Sequence, residues 1–227
     1  MSYPDLLTSL TPRGACEHLY DLASKVPKTQ VIVELGVYRA RTTVWMAAGA
    51  QAGRGAHLYA IDPWDHPAHD PLKPKFGMSK QREIAEAYVV EQGHTDHVTL
   101  TQGFSAQVGQ HWDGPKVGLL YVDGDHTYEG VMADWDAWSP HLVGTATVVW
   151  DDYLHPSHPG VRKAVDALVQ RGDLTGMHVV ADRIAVTRLP RGRHTPTRTT
   201  PPPNPEGEGT GQDQAGQDTE DPDPDTT

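Results

Sequence analysis

The chain has 227 residues and a formal net charge of −11. From Pro190 onward eight acidic residues face three arginines, so the body before it still carries a net −6, which argues against a nucleic-acid partner because that requires a basic face. Cys16 is the single cysteine, so no intrachain disulfide can form, and neither a run near the ~20 apolar residues that cross a bilayer nor a basic-then-apolar leader is present, which together predict a cytoplasmic protein away from membranes.

The elements follow in chain order. Residues 14–25 read as a helix, with Leu19 and Leu22 on its apolar face and Pro27 closing it. Val31 to Leu35 is an apolar run that ends at Gly36. Such a run, without polar alternation, suits a strand covered on both faces. Residues 41–50 form the next helix and residues 57–61 the next strand, ended by Asp62-Pro63. Residues 63–79 hold four prolines and read as an irregular loop, part of a lid over a substrate. A helix over 80–92, a short strand at 98–100 and a brief helix at 105–110 come next. A strand at 117–122, a helix at 127–138 and a strand at 145–150 follow, then a helix at 160–170. Two last strands, near 177–181 and 183–188, are close enough to pair antiparallel.

Strands alternating with helices predict an α/β fold. The expected architecture is a Rossmann-like, mostly parallel, seven-stranded sheet with a C-terminal antiparallel strand pair and helices on both faces. The expected domain spans 1–189. Residues 190–227, with Pro201-Pro202-Pro203 and then Gly, Gln, Asp and Glu, have little to bury and read as a disordered acidic tail.

In open parallel sheets, ligands bind at the carboxyl ends of the strands where strand order reverses. The residues at those ends are Glu34 and Gly36, Asp62, Gly103 to Ser105, Asp123, and Asp151 with Asp152. Gly36 allows a tight turn and close approach of a ligand. Asp62 sits where a carboxylate holds ribose hydroxyls in nucleoside-binding α/β folds. Gly36-Val37-Tyr38-Arg39-Ala40-Arg41 has one glycine and no G-x-G-x-x-G. A dinucleotide is therefore disfavoured, and a nucleoside without phosphates is not.

The stretch Val33-Glu34-Leu35-Gly36-Val37-Tyr38-Arg39-Ala40-Arg41-Thr42-Thr43 resembles the opening motif of a bacterial family of class I S-adenosylmethionine-dependent methyltransferases. Tyr59 to Trp64, Val122 to Val131 and Asp151-Asp152-Tyr153 resemble its later motifs, in the same order. The group includes small-molecule and sugar O-methyltransferases and their cephalosporin-hydroxylase-like relatives. Ala40 departs from the pattern, which usually has glycine there. The resemblance implies S-adenosylmethionine as cofactor, with Glu34 and Gly36 flanking its methionine part and Asp62 its ribose. Thr42 or Thr43 would help hold the carboxylate at the start of the helix, and Phe104 and Ser105 would border the adenine. Helix capping is the plain alternative for the threonines.

Asp123, Asp151 and Asp152 are three carboxylates at adjacent strand ends. They cannot all stay ionised without a cation or hydrogen bonds, and hard oxygen ligands suit Mg²⁺ or Mn²⁺. Metal-dependent O-methyltransferases of the catechol type place acids at similar positions, which implies metal binding here; caps and loop anchors are the alternative. His126 follows Asp123 by three residues. Macrolide-sugar O-methyltransferases that this motif resembles carry a catalytic histidine at that offset, so His126 and Asp123 are the expected catalytic pair. His155 and His158, after the acid pair, could join the metal shell, but Pro156 and Pro159 point to a rigid loop and favour a substrate-rim or structural reading; Trp135 and Trp138 read as core. The expected activity is methyl transfer to a hydroxyl of a small acceptor, a sugar or natural product, by a protein that can form a homo-oligomer. An oxygenase on the same fold and a non-catalytic cofactor binder are the other readings. No H-x-D…H spacing of a two-histidine, one-carboxylate iron site stands in a convincing context.

Overall fold

The computed structural model of the chain describes residues 11–64, 80–190 and 192. The order is α1 (Arg13–Ser24), β1 (Val31–Leu35), α2 (Arg41–Ala52), β2 (His57–Asp62), α3 (Gln81–Glu91), β3 (Val98–Gln102) and α4 (Ser105–Gln110). Then come β4 (Val117–Val122), α5 (Tyr128–Trp138), β5 (Leu142–Trp150), α6 (Pro159–Gln170), β6 (Thr175–Val180) and β7 (Ile184–Arg188). Residues 65–79, most of the expected lid, and nearly all of the expected tail lie outside the described residues.

One seven-stranded sheet runs β3-β2-β1-β4-β5-β7-β6. The first five strands are mutually parallel, and β7 enters antiparallel between β5 and β6. This is the Rossmann-like architecture with a terminal antiparallel pair that the alternation of elements predicts. Among the described residues no helix is long and apolar enough to cross a membrane.

The period of two along each strand divides the core. Ile32, Leu58, Leu119 and Val149 face a layer built by α1, α2 and α3. Val33, Leu35, Leu120 and Val148 face the opposite layer, which holds Trp135, Trp138 and Val165 from α5 and α6. All five residues of β1 are buried, as a strand covered on both faces requires. Trp135 and Trp138 are core residues, consistent with their spacing.

Two strands begin before their expected first residues. β5 begins at Leu142, three residues early: Leu142 is buried and pairs with Val117, and the exposed Gly144 separates it from the rest of the apolar signal. β6 begins at Thr175 and is largely exposed on the sheet edge, so it too lacks burial as a signal.

The order places β1 and β4 side by side in the middle, with chain direction progressing outward on either side. That is the switch point, and the crevice it opens lies at the carboxyl ends of these two strands. Gly36 follows β1 and Asp123 follows β4.

Candidate active site

The loop after β1 is bound to its neighbours by backbone. The Gly36 N–H donates to the Ile61 carbonyl at 2.9 Å, and the Asp123 N–H to the Leu35 carbonyl at 2.7 Å. Gly36 has φ +87°, and a Cβ there would lie 2.0 Å from the Asp123 carbonyl oxygen. Glycine is therefore required by the contact between the two loops, before any ligand is considered.

Asp62 organises the rest of that loop. Its Oδ2 accepts from the Val37 and Tyr38 N–H groups at 2.8 and 2.9 Å, and its Oδ1 from the Trp64 N–H at 2.7 Å. The Trp64 indole, buried, donates to the Tyr38 carbonyl at 3.0 Å. A carboxylate has about four acceptor sites, so Oδ1 keeps one. The turn runs through two non-glycine residues of positive φ, Tyr38 at 52° and Ala40 at 65°. Ala40 is fully buried and precedes the first residue of α2. The conformation explains why the family pattern has glycine here: alanine reaches it at a cost of about 1 kcal/mol.

Glu34 points from β1 toward the start of α2. The Thr42 and Thr43 hydroxyls each donate to it at 2.5 Å, one to each oxygen. Glu34 is fully buried, and burial pushes its carboxyl up to about 8 despite the two donors, with Asp123 and Asp62 adding to the rise. The two threonines lie inside α2, whose cap position is Ala40, so their hydroxyls hold Glu34 rather than the helix end. Glu34 is thus a support beneath the loop.

Phe104 and Ser105 stand at the start of α4. Phe104 is 43% exposed, a large apolar side chain at the carboxyl side of β3. The Ser105 hydroxyl donates to Asp134 Oδ1 of α5 at 2.5 Å. Burial raises Asp134 to about 6. The Trp138 indole donates to the Ser105 carbonyl at 3.0 Å.

The β4–α5 loop, the β5–α6 loop and the β6–β7 turn bring the remaining candidates together. His126 Nε2 lies 3.4 Å from Asp123 Oδ1 and 3.1 Å from Asp152 Oδ2. Burial works to lower the proton affinity of His126, but hydrogen bonding to Asp123 and Asp152 and their charges outweigh it, raising the imidazole to about 10. Asp152 has φ +55°. Burial works to raise it, and His126, Arg183 and His158 together hold it below the usual carboxylate range.

Asp123, Asp151 and Asp152 do converge, with one oxygen of each within 4.8 Å of the others. The sequence reading missed the residue that faces them. Arg183 Nε lies 3.1 Å from Asp151 Oδ1, and its Nη2 pairs with Asp152 Oδ1. The Thr11 hydroxyl lies 3.5 Å from Asp151 Oδ2. Asp151 is buried and raised by burial first and Asp123 second, with Arg183 pulling it back. Arg183 had no local signal, since it is 32 residues from Asp151 and sits in a hairpin turn. The three acids without a nearby basic residue in sequence were the one hint that a distant cation balances them.

His158 joins the same group. Its Nε2 lies 3.6 Å from Asp152 Oδ2, and its ring stacks on His126 with centroids 4.2 Å apart. The fold thus forms a two-histidine, one-carboxylate group, His126, Asp152 and His158, from two loops whose spacing in sequence does not announce it.

Residues 33–153 match the family model of a methyltransferase domain, just over half of the chain. Solved structures of similar architecture include cofactor-bound Rv0187 from MTB, at TM-score 0.63 and 16% identity over 83% of this chain and 85% of that one. The O-methyltransferase TomG from Streptomyces achromogenes, involved in tomaymycin synthesis and solved with SAM, has TM-score 0.59 and 20% identity, covering 82% of each chain. CalS11, a TDP-rhamnose 3'-O-methyltransferase of calicheamicin biosynthesis, has TM-score 0.57 and 21% identity, covering 77% of each. At these identities the likeness is one of fold.

Proposed function

The chain belongs to the methyltransferase-domain family, and on that premise we propose that it is an S-adenosylmethionine-dependent O-methyltransferase acting on a hydroxyl of a small molecule, a sugar or natural product. The observation that carries this reading is the convergence of two groups at one switch point. The Gly36 loop, held by Asp62, forms one side, and the Asp123, His126 and Asp152 group forms the other. TomG and CalS11 are small-molecule O-methyltransferases by name and share the fold, which supports the acceptor class.

Each residue has a part in this reading. Gly36 and the backbone around it accept the methionine portion, with Glu34, Thr42 and Thr43 fixing the loop from below. The remaining acceptor site on Asp62 Oδ1 takes a ribose hydroxyl. Phe104 provides an apolar face for the adenine, and Ser105 is held beside it by Asp134. S-adenosylmethionine supplies a methyl carbon on a sulfonium, already electrophilic, so the protein's work is alignment and management of the acceptor's proton.

His126 is the proton acceptor and Asp123 its partner. With Asp123 and Asp152 both charged beside it, the imidazole keeps its own proton at neutral pH, so acceptance requires that their charge be offset. A divalent cation on the carboxylate group would do so and would act as a Lewis acid toward the acceptor hydroxyl. The oxygen donors suit Mg²⁺ or Mn²⁺, yet the fit is uneven: Arg183 and Thr11 already face both oxygens of Asp151, and Arg183 and the imidazoles face those of Asp152, so Asp123 is the better placed ligand.

The test is ligand-dependent melting. S-adenosylhomocysteine should raise the melting temperature and NAD should not, since a ligand that binds only the folded state stabilises it. Asp62→Ala should weaken S-adenosylhomocysteine binding; unchanged affinity in that variant would overturn the placement of the nucleoside.

A further inference from the structure

We propose a second cation site at this rim, formed by His126 Nε2, Asp152 Oδ2 and His158 Nε2, that takes a borderline first-row divalent ion of the Fe²⁺ to Zn²⁺ series in preference to Mg²⁺. Both imidazole nitrogens converge on one carboxylate oxygen, at 3.1 Å for His126 and 3.6 Å for His158. Ligand atoms bound at 2.0–2.1 Å to one tetrahedral or octahedral ion lie roughly 2.9–3.4 Å apart; the His126–Asp152 separation falls in that range, the His158–Asp152 one slightly exceeds it, and the two nitrogens lie within 4.8 Å of each other. The three side chains are 6–10% exposed, so the donors are already largely desolvated.

The local structure builds this placement. A Cβ on Gly160 would lie 2.5 Å from the His126 carbonyl oxygen, so a glycine in the first turn of α6 lets the His126 loop seat against it. His158 precedes that turn, and its ring therefore stacks on His126 at 4.2 Å and 27°. Asp152 adopts φ +55°, uncommon for a residue other than glycine and typical of strained functional positions. Its two oxygens are divided: Arg183 takes Oδ1 and the imidazoles face Oδ2. A basic residue on the non-coordinating oxygen is the kind of outer contact that orients a ligand.

The donor set determines the ion. Mg²⁺ demands oxygen and is bound poorly by imidazole, whereas two nitrogens and one carboxylate suit Fe²⁺, Co²⁺, Ni²⁺ or Zn²⁺. This site shares Asp152 with the carboxylate group and uses the His126 nitrogen that proton acceptance needs. An ion bound here therefore silences methyl transfer. That consequence rests on the function proposed above; the binding does not.

The experiment uses the untagged full chain, stripped with chelator, and titrates Co²⁺ by calorimetry and visible absorption. One strong Co²⁺ site per chain is expected. Zn²⁺ should displace the ion, and Mg²⁺ in roughly 100-fold excess should not. His158→Ala should weaken Co²⁺ about 10- to 100-fold and change its spectrum, with His158→Gln replacing it if the alanine variant does not fold. His155→Ala should keep both, because that ring packs on His158 and accepts from the Ser157 N–H without belonging to the donor group. Displacement by comparable Mg²⁺, or unchanged Co²⁺ affinity in the His158 variants, would overturn the site. S-adenosylhomocysteine affinity on the same samples separates the claims. Cofactor binding without a Co²⁺ site removes this inference alone, and a Co²⁺ site without cofactor binding removes the proposed function alone.

Discussion

Gly36 and Asp123 are in such close backbone contact that a methyl group on Gly36 would stand 2.0 Å from the Asp123 carbonyl oxygen. The contact couples the two halves of the crevice: the loop after β1 cannot shift without moving the loop that carries Asp123 and His126. Gly36→Ala meets both the overlap and a φ of +87°. It should destabilise the protein by at least about 2 kcal/mol, read as a lower urea midpoint, and weaken S-adenosylhomocysteine binding in the fraction that folds. A variant with parental midpoint and affinity would show that the loops separate readily.

Glu34 makes stability depend on pH. Its folded carboxyl is raised to about 8 from an ordinary 4.5, so between those values the folded chain keeps a proton that the unfolded chain has released. The contribution of this group to stability therefore falls as pH rises from about 4.5 to about 8 and is flat on either side, by up to roughly 5 kcal/mol in all. Glu34→Gln cannot titrate and should remove that slope. Chemical denaturation of both proteins at pH 5 and pH 8 checks it: a slope of equal size in Glu34→Gln would assign the pH dependence elsewhere.

Arg183 offsets two buried carboxylates, and the same logic gives its sign. Arg183→Met removes the partner of Asp151 and Asp152 and should cost about 3–5 kcal/mol near neutral pH. Without the guanidinium, the folded-state carboxyl of Asp151 rises further above its unfolded value, and Asp152 loses part of what holds it below the usual range. The loss should then be largest above neutral and shrink as pH falls toward and below about 4, where the carboxylates take up protons. Millimolar Mg²⁺ should restore part of it by replacing the missing charge. Equal destabilisation at pH 5 and pH 8, with no response to Mg²⁺, would mean that Arg183 acts through packing.

What the sequence disclosed and what it withheld follow from the range of each interaction. β1, β2 and β4 were legible because a buried parallel strand needs an unbroken apolar run, and each ends at an acid or glycine that breaks it. The position of Asp123, Asp151 and Asp152 at one rim followed from strand order alone. The partners of those residues did not. Glu34 with Thr42 and Thr43 requires knowing which way β1 faces, and Arg183 requires the hairpin to fold back over β5. His158 reaches His126 only because Gly160 allows two loops to touch. Asp62 shows the same limit: its place at the end of β2 was evident, but its three backbone N–H partners depend on a turn with two unusual φ values.

The central claim is that this rim moves a methyl group to an acceptor hydroxyl with His126 taking the proton. The most direct measurement incubates the protein with methyl-labelled S-adenosylmethionine, Mg²⁺ and a panel of hydroxylated sugars and aromatic natural products, and compares the parent with His126→Ala. The account predicts label in a methyl ether of at least one acceptor. It also predicts a rate lower by roughly 10²–10⁴ in His126→Ala, with S-adenosylhomocysteine affinity nearly unchanged. Label transfer at the parental rate in His126→Ala, or an acceptor methylated at nitrogen or carbon and never at oxygen, would contradict it.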